Sequence, residues 1–275
     1  MVNPPRTLPT HKEILSALEK IESNKKAFES KKILQRIYGR YFSLIKKEMT
    51  SPFKKTIEIG CGAAFFKRFL PVIQSADIVE SNYVDLVCDG HQLPFKTASL
   101  SNVILIDVFH HLQFPQYFLT EAHRVLQIGG KLILLEPFVS PLSYLIYKYL
   151  HEESFSFKEN PFISESFNQT KKPSTSTAPY TGNQAISRIL WKTASKHQNK
   201  LMGFSFLYRF LDFFAYPATG GFSKPQLLGD SLLTKIHSIE TKLSEKLSLS
   251  FLAFRILIVA EKNLQSQSQP APSSL

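Results

Sequence analysis

A short apolar run that ends in closely spaced glycines constrains this chain more than any other stretch. Residues 56–59 (Thr-Ile-Glu-Ile) predict a buried strand, Gly60-Cys-Gly62 predicts a tight turn, and a helix is expected to begin near Phe65. A ligand can approach the backbone N–H groups of such a junction closely, because glycine has no Cβ in the way. The pattern therefore predicts an α/β fold in which this turn binds something small and polar.

The spacing of the small residues separates two classes of ligand. A dinucleotide-binding loop has the pattern Gly-x-Gly-x-x-Gly, and this chain has Phe65 where the third glycine should stand. Glycine spacing therefore argues against a dinucleotide. Taken alone, the loop fits a nucleoside site and a plain turn equally well.

Composition sets the broad class of protein. A chain of 275 residues with 43% hydrophobic content can bury a substantial core. The only cysteines, Cys61 and Cys88, form no C-x-x-C pair, so neither a disulfide framework nor a metal site is expected. No apolar run reaches signal-peptide or membrane-spanning length. We expect a cytoplasmic protein that contacts membranes at most peripherally.

The net charge of +11 is concentrated near the N-terminus. Residues 1–55 contain 13 Lys and Arg against 5 Asp and Glu. Their apolar residues recur at helical spacing, which predicts two amphipathic helices in an N-terminal arm. The lysines of this arm either form a solvated helix face or bind RNA or anionic lipid, and the sequence leaves both interpretations open.

The rest of the chain alternates strands with helices, which predicts a mostly parallel sheet. A helix is expected over residues 65–74, and the connection from residue 80 to 85 is too short for a crossover helix. A flexible loop is expected over residues 164–183 and a disordered tail from residue 263. Strands are predicted at residues 76–80, 85–89, 102–107, 131–136, 201–211 and 251–260, the last inserted antiparallel at the edge of the sheet.

Several short motifs that follow the glycine loop occur in a recognisable order. With the loop itself (Glu58, Gly60, Gly62 and then Ala64 in place of a third glycine), they resemble the class I S-adenosylmethionine (SAM)-dependent methyltransferases of the type 11 group. The resemblance covers about residues 53–138. The motifs are Leu93-Pro-Phe95, Ser99-Leu100, His110-His111-Leu112, Glu121 with Arg124-Val125-Leu126, Gly129-Gly130 and Glu136-Pro137.

This resemblance implies a Rossmann-like, seven-stranded, mostly parallel sheet with N-terminal helices and helical insertions after the fifth and sixth strands. The domain would span residues 51–262, with insertions at about 139–200 and 212–248, after an arm of residues 1–50. SAM would be the cofactor. A looser likeness to uncharacterised bacterial members extends to Glu136-Pro-Phe-Val-Ser-Pro141, His151-Glu152 and Gly220-Gly-Phe-Ser223.

The resemblance also implies which residues bind SAM. The backbone of Gly60, Cys61, Gly62 and Ala63 would face the methionine part of the cofactor, with Glu58 supporting the loop. Asp89 would accept the adenine amino group, while Gly90 and His91 would donate backbone N–H groups to the ring.

Two further carboxylates are expected at strand ends. Glu80 would bind the ribose hydroxyls, because it lies 22 residues after Glu58 and nucleotide sites of this kind use an offset of ~20 residues. The alternative is a solvent-exposed carboxylate. Asp107 would contact the amino-acid end of SAM and face the acceptor.

Catalytic candidates are fewer. His110 and His111 are candidate general bases because imidazole titrates near neutral pH, with packing or cofactor contact as the alternative. Asp107 is the third candidate. We expect the acceptor to be a small molecule or a lipid- or glycan-linked intermediate. The chain contains 23 Phe residues, which favours an apolar or aromatic acceptor. The alternatives are an RNA methyltransferase that uses the basic arm, and a catalytically silent SAM-binding protein whose pocket is closed by Ala64.

Overall fold

Eight strands and eight α-helices make up the part of the chain that the structure describes. The structure is a computed structural model, and it describes residues 10–149, 155–158, 160–162 and 182–263. The strands are β1 (Thr56–Ile59), β2 (Gln74–Asp77), β3 (Leu86–Val87), β4 (Leu100–Ile106), β5 (Leu126–Pro137), β6 (Lys200–Leu201), β7 (Phe204–Leu211) and β8 (Arg255–Lys262); the helices are α1 (His11–Ser30), α2 (Lys32–Glu48), α3 (Phe65–Phe69), α4 (Pro115–Val125), α5 (Ser143–Tyr149), α6 (Ile186–Lys196), α7 (Ala215–Ala218) and α8 (Asp230–Lys246).

The strands form one mixed sheet in the order β3-β2-β1-β4-β5-β8-β7-β6. The first five strands are parallel, and β8 runs antiparallel between β5 and β7. This order confirms the predicted Rossmann-like α/β fold. The last long strand was expected at the sheet edge, and that expectation is wrong, because β8 pairs on both sides and the two-residue β6 extends the sheet beyond β7.

Two hydrophobic clusters cover the opposite faces of the sheet. One joins β1, β4, β5 and β8 to α4 and α6, and the other joins alternate residues of β4, β5 and β8 to α2, α3, α7 and α8. Neighbours along a strand point to opposite faces, so Val103 belongs to the first cluster and Ile104 to the second. This double burial explains why the central strands read as continuous apolar runs.

The boundaries of β2 and α3 differ from those that the sequence predicts. A helix over residues 65–74 was expected, but α3 ends at Phe69 because Leu70 precedes Pro71 and has an extended φ of −132°. The chain therefore enters the sheet early, and β2 ends at Asp77 rather than at residue 80. As the short connection implied, β2 and β3 are parallel neighbours with no helix between them.

The two N-terminal helices are attached differently. Helix α2 buries seven residues in the second cluster, whereas α1 has no fully buried residue. The joint between them is Lys31, whose Nζ donates to the carbonyl oxygens of Thr219, Gly221 and Lys224 at 3.0, 2.6 and 2.6 Å. No described helix combines the length and apolar composition needed to span a lipid bilayer.

Some expectations concern residues that lie outside the described part of the chain. These are the N-terminal residues 1–9, His151, the predicted flexible loop up to residue 181, and the predicted tail from residue 264.

Two neighbouring buried residues of β4 give a matched test of the packing. The Asn102 side chain accepts from Thr50 N and donates to Thr50 O and Thr56 Oγ1, each at 2.8 Å, and so ties the end of the arm to β1. Asn102→Ala removes these bonds and leaves buried groups unpaired, so we expect a loss of about 2–3 kcal/mol in unfolding free energy, measured by urea denaturation.

The control is Ser101→Ala. Ser101 is equally buried, but its Oγ has no hydrogen-bond partner among the described residues, so the substitution should change stability by less than about 0.5 kcal/mol or raise it. Equal losses in the two variants would contradict the bonding described for Asn102.

Candidate active site

The loop after β1 has the left-handed backbone that its glycines predict. Gly60 has φ +69°, and a Cβ at this position would lie 2.5 Å from Val108 Cγ2. Any side chain there would therefore clash with the segment that follows β4. Gly62, at φ +51°, has open space around it, so its backbone conformation is what favours glycine.

Ala64 occupies the place of the third glycine. It has φ 51° and ψ 44°, the left-handed conformation that glycine adopts more easily, at a cost of roughly 1–2 kcal/mol for a residue with a Cβ. Ala64 does not line the large cavity next to the loop. Its methyl group therefore costs backbone strain without filling that cavity.

A cavity of about 490 Å³ lies at the carboxyl ends of the parallel strands, within the usual size of a small-ligand pocket. Its walls come from the ends of β1 and β2, the turn after β3, the segment after β4 and one face of α1. Residues lining it are Ala17, Lys20, Ile21, Asn24, Ile59, Gly60, Asp77, Ile78, Val79, Cys88, Asp89, Gly90, His91, Gln92, Val108, His111, Leu112, Gln113 and Phe114.

The carboxylate that reaches this cavity from β2 is Asp77, not Glu80. Asp77 Oδ2 accepts from Gly62 N at 3.0 Å and Oδ1 from Val79 N at 3.1 Å, so the side chain holds the glycine loop while it lines the cavity. Glu80 is exposed and does not line the cavity. The prediction placed Glu80 at the strand end because it assumed a longer α3.

Asp89, Gly90 and His91 lie together in the cavity wall. Asp89 Oδ1 accepts from His91 N at 2.9 Å and contacts His91 Nδ1 at 2.8 Å. The His91 N–H is thus used within the turn rather than offered to a ligand. His91 Nε2 is buried in the cavity wall without a hydrogen-bond partner among the described residues.

Glu58, Cys61 and Ala63 are buried behind the loop rather than in the cavity wall. Cys61 N donates to Ala76 O at 3.0 Å, which joins the loop to β2. Burial raises the pKa of Glu58 to about 8, and its Oε2 has no hydrogen-bond partner among the described residues. These side chains support the loop from behind. Gly60 is the loop residue that lines the cavity.

Asp107 follows β4 with φ +59° and lies outside the cavity wall. Its Oδ2 accepts from Tyr38 of α2 at 2.8 Å, and its Oδ1 pairs with Arg255 of β8. Burial pushes the pKa of Asp107 upward, but the charge and hydrogen bond of Arg255 outweigh burial and hold the pKa below its usual value. Asp107 is therefore a fixed anion.

His110 and His111 occupy different environments. His110 is buried, and its Nδ1 lies 2.6 Å from Oε2 of the fully buried Glu136 at the end of β5. The Oε1 atom of Glu136 accepts from Val108 N at 3.0 Å and Phe109 N at 2.8 Å. The His111 ring packs 4.0 Å from the His110 ring and lines the cavity. Glu136 thus positions both histidines.

Sequence reasoning missed three contributors to the site. Asp77 lies 19 residues after Glu58, an offset as good as that of Glu80, and recognising that Pro71 ends the helix would have found it. Glu136 was noted within a motif without a role. The cavity face of α1 has no signal in the sequence, because its position depends on tertiary packing.

The raised pKa of Glu58 predicts how stability varies with pH. An unfolded glutamate titrates near ~4.3, so between that value and about 8 the folded protein keeps a proton that the unfolded chain releases. The contribution of Glu58 to stability is therefore complete below ~4.3, the pKa of glutamate in the unfolded chain. It is lost as the pH rises through about 8, the pKa of Glu58 in the folded protein.

We expect the neutral variant Glu58→Gln to gain stability relative to wild type by up to about 1.4 kcal/mol per pH unit across this window, measured by urea denaturation at about pH 5 and about pH 8.5. The exposed Glu80→Gln is the control. A stability difference that does not change with pH would show that Glu58 is ionised in the folded protein.

Comparisons with known proteins agree with this geometry. Residues 57–134 match a family model described as a methyltransferase domain. Among solved structures, a SAM-dependent methyltransferase from Thermotoga maritima, described as a possible histamine N-methyltransferase, is 16% identical with a TM-score of 0.56 and covers 91% of this chain and 100% of its own. The [4+2]-cyclase SpnF is 12% identical with a TM-score of 0.53, over 96% and 100%. A search of curated proteins gave no match.

The structural neighbours and the family match support different conclusions. At such low identities the structural likeness shows the fold alone. The family match gives the activity class, and it covers the strands, the glycine loop and the turns that form the cavity. Residues 57–134 therefore form the core of a SAM-dependent methyltransferase domain of the type 11 group, within a chain that has the class I methyltransferase fold.

Proposed function

We propose that the cavity holds SAM and that the chain transfers its methyl group to an O, N or C atom of a small, apolar acceptor, either free or linked to a lipid or glycan. SAM supplies a methyl group on a positively charged sulfur. The main support is the placement of two carboxylates, Asp77 and Asp89, on one cavity whose base is the backbone of Gly60.

Asp77 and Asp89 take different parts of the cofactor in this proposal. Asp77, at the end of β2, accepts hydrogen bonds from the ribose hydroxyls, the role that the sequence suggested for Glu80. Asp89 accepts a hydrogen bond from the adenine amino group. His91 Nε2 is a further polar atom at the adenine end of the cavity. Ile78, Val79, Leu112 and Phe114 give the cavity apolar walls against which a flat base can pack.

Asp107 and His111 are proposed to act near the methyl group of SAM and the acceptor. Asp107 stays ionised because of Arg255 and is a poor proton acceptor, and any attraction that it exerts on the ammonium of the methionine part acts from beside the cavity. Of the three candidate catalytic residues, His111 lines the cavity, whereas Asp107 and His110 do not. His111 is therefore the proposed base for an acceptor that must lose a proton, held in place by the His110–Glu136 pair.

The apolar character of the acceptor is inferred from the surroundings of Asp107. Its partner Tyr38 packs edge-on against Phe222 with ring centroids 5.4 Å apart, and Phe222 stacks with Phe65. On α1, Ala17 and Ile21 add apolar surface to the cavity. This use of α1 favours a cavity wall over an RNA-binding arm. A cytoplasmic location, expected from the cysteines, is part of the proposal.

The substitution Asp77→Asn tests the cofactor site. It keeps an oxygen for Gly62 N but removes the charge that strengthens bonds to the ribose hydroxyls, so we expect S-adenosylhomocysteine to bind roughly 10- to 100-fold more weakly by calorimetry. Glu80→Gln is the matched control and should bind like wild type. If Glu80→Gln weakens binding and Asp77→Asn does not, the ribose assignment is wrong.

The acceptor is identified by methyl transfer. The protein is incubated with SAM labelled in the methyl group and with separate lipid, polar-metabolite and RNA fractions of a bacterial extract. We expect label in an apolar or lipid-linked product, absent when His111→Ala replaces the wild type on an acceptor that must be deprotonated. Label in RNA that depends on residues 1–50 would replace this proposal with the RNA alternative.

A further inference from the structure

A second group of ionisable side chains is buried away from the cofactor cavity. Asp212 follows β7 directly, and His237 and Glu240 lie on α8. They are 2%, 3% and 7% exposed, and one candidate ligand atom from each lies within 4.8 Å of those of the other two. None of the three lines the cavity. We propose that they form a binding site for a divalent transition-metal ion of the Zn²⁺ type, which fastens α8 to the end of β7.

The local backbone brings the three side chains together. His237 and Glu240 are three residues apart on a helix and so project from the same face. Asp212 has φ +52° where the chain leaves the sheet. The end of β7 and the middle of α8 thus converge on one buried point, as in a site that closes around an ion.

Unpaired polar atoms point to a ligand at this place. Asp212 Oδ2 accepts from Tyr41 of α2, but Oδ1 has no hydrogen-bond partner among the described residues, and neither has His237 Nδ1. Buried polar atoms in folded proteins are normally paired, and each orphan costs about 1–3 kcal/mol. A cation bound by Asp212 and His237 would satisfy both atoms at once.

Glu240 is only partly used by the protein. Both of its oxygens accept from the Ala215 N–H, at 3.2 and 3.1 Å, at the start of α7, and the backbone N–H groups of Phe213 and Phe214 also point to this carboxylate. A carboxylate has about four acceptor positions, so these contacts leave capacity for a metal ion. Coordination there would fix α7 and α8 together.

The surrounding charges decide which ions fit. Arg40 and Arg36 of α2 face His237, and Arg40 and Arg255 face Asp212. Arg255 pairs with Asp107, and Arg40 donates to Ser244 Oγ at 2.9 Å. These cations reduce the net negative charge of the site, which disfavours ions held by charge alone.

The ligand set sharpens the choice of ion. One imidazole nitrogen and two carboxylate oxygens suit Zn²⁺ and its neighbours, whereas Mg²⁺ and Ca²⁺ prefer oxygen ligands throughout. Because all three side chains are buried and separate from the cofactor cavity, the ion is assigned a structural role. It would lie one side chain away from the Arg255–Asp107 pair, through Tyr41.

The test uses untagged, full-length protein that has been stripped with chelator and then titrated with ZnCl₂, MnCl₂ or MgCl₂. We expect one Zn²⁺ per chain by calorimetry and elemental analysis, and a rise in Tm of roughly 5–10 °C at an ion concentration about 100 times Kd. His237→Gln and Glu240→Gln should each weaken Zn²⁺ binding by at least about 10-fold. His123→Gln, on α4 at the other face of the sheet, should leave it unchanged.

Binding of S-adenosylhomocysteine shows whether each variant is folded, and it separates this proposal from the cofactor assignment. Retained cofactor binding with lost Zn²⁺ binding supports the metal site. Three results would overturn it: no ion bound by the stripped wild type, equal binding by wild type and both variants, or a preference for Mg²⁺ over Zn²⁺.

Discussion

The ion pair between the buried Arg255 and the half-buried Asp107 joins three elements at the carboxyl end of the parallel strands. Arg255 begins β8, Asp107 follows β4, and Tyr38 of α2 donates to the same carboxylate. The guanidinium also lies over the rings of Tyr41 and Tyr216, at 5.6 and 5.1 Å. Removing one partner would leave an uncompensated buried charge, which is among the costliest changes in a protein interior. The packing of α2 and of the start of β8 against the end of β4 therefore depends on this one contact.

The parts of the fold that could be predicted from sequence are those that depend on patterns among neighbouring residues. Strands β1, β4 and β5 read as apolar runs because both of their faces are buried, and Gly60 marks a turn that tolerates no side chain. Asp89, Gly90 and His91 follow a short strand closely, so their place in the cavity follows from the topology. The type 11 motifs cover about residues 53–138, which include these strands and turns.

What could not be predicted depends on contacts between distant residues or on where one element stops. Pro71 ends α3 early, so β2 ends at Asp77 instead of Glu80 and Asp77 is the carboxylate at the cavity. Hydrophobic periodicity does not resolve a shift of three residues. The cavity face of α1 is set by packing across the whole domain. The approach of Asp212 to His237 and Glu240 joins two elements separated by a loop and a short helix, and no spacing in the sequence reports it.

Lys31 anchors the C-terminal end of the helix that forms one wall of the cavity. Its ammonium is held by three carbonyl oxygens beyond α7, and α1, with no fully buried residue, extends from this point across the cavity. Ile21 lies ten residues before Lys31 on this helix, or ~15 Å away at 1.5 Å per residue. A swing of α1 by ~20° about Lys31 would thus carry Ile21 by ~5 Å, enough to uncover a nucleoside while α2 and the sheet stay in place. Such a swing would have to break the hydrogen bonds of Tyr83 with Lys25 and Glu22, so uncovering the cavity is linked to the release of α1 from the connection between β2 and β3.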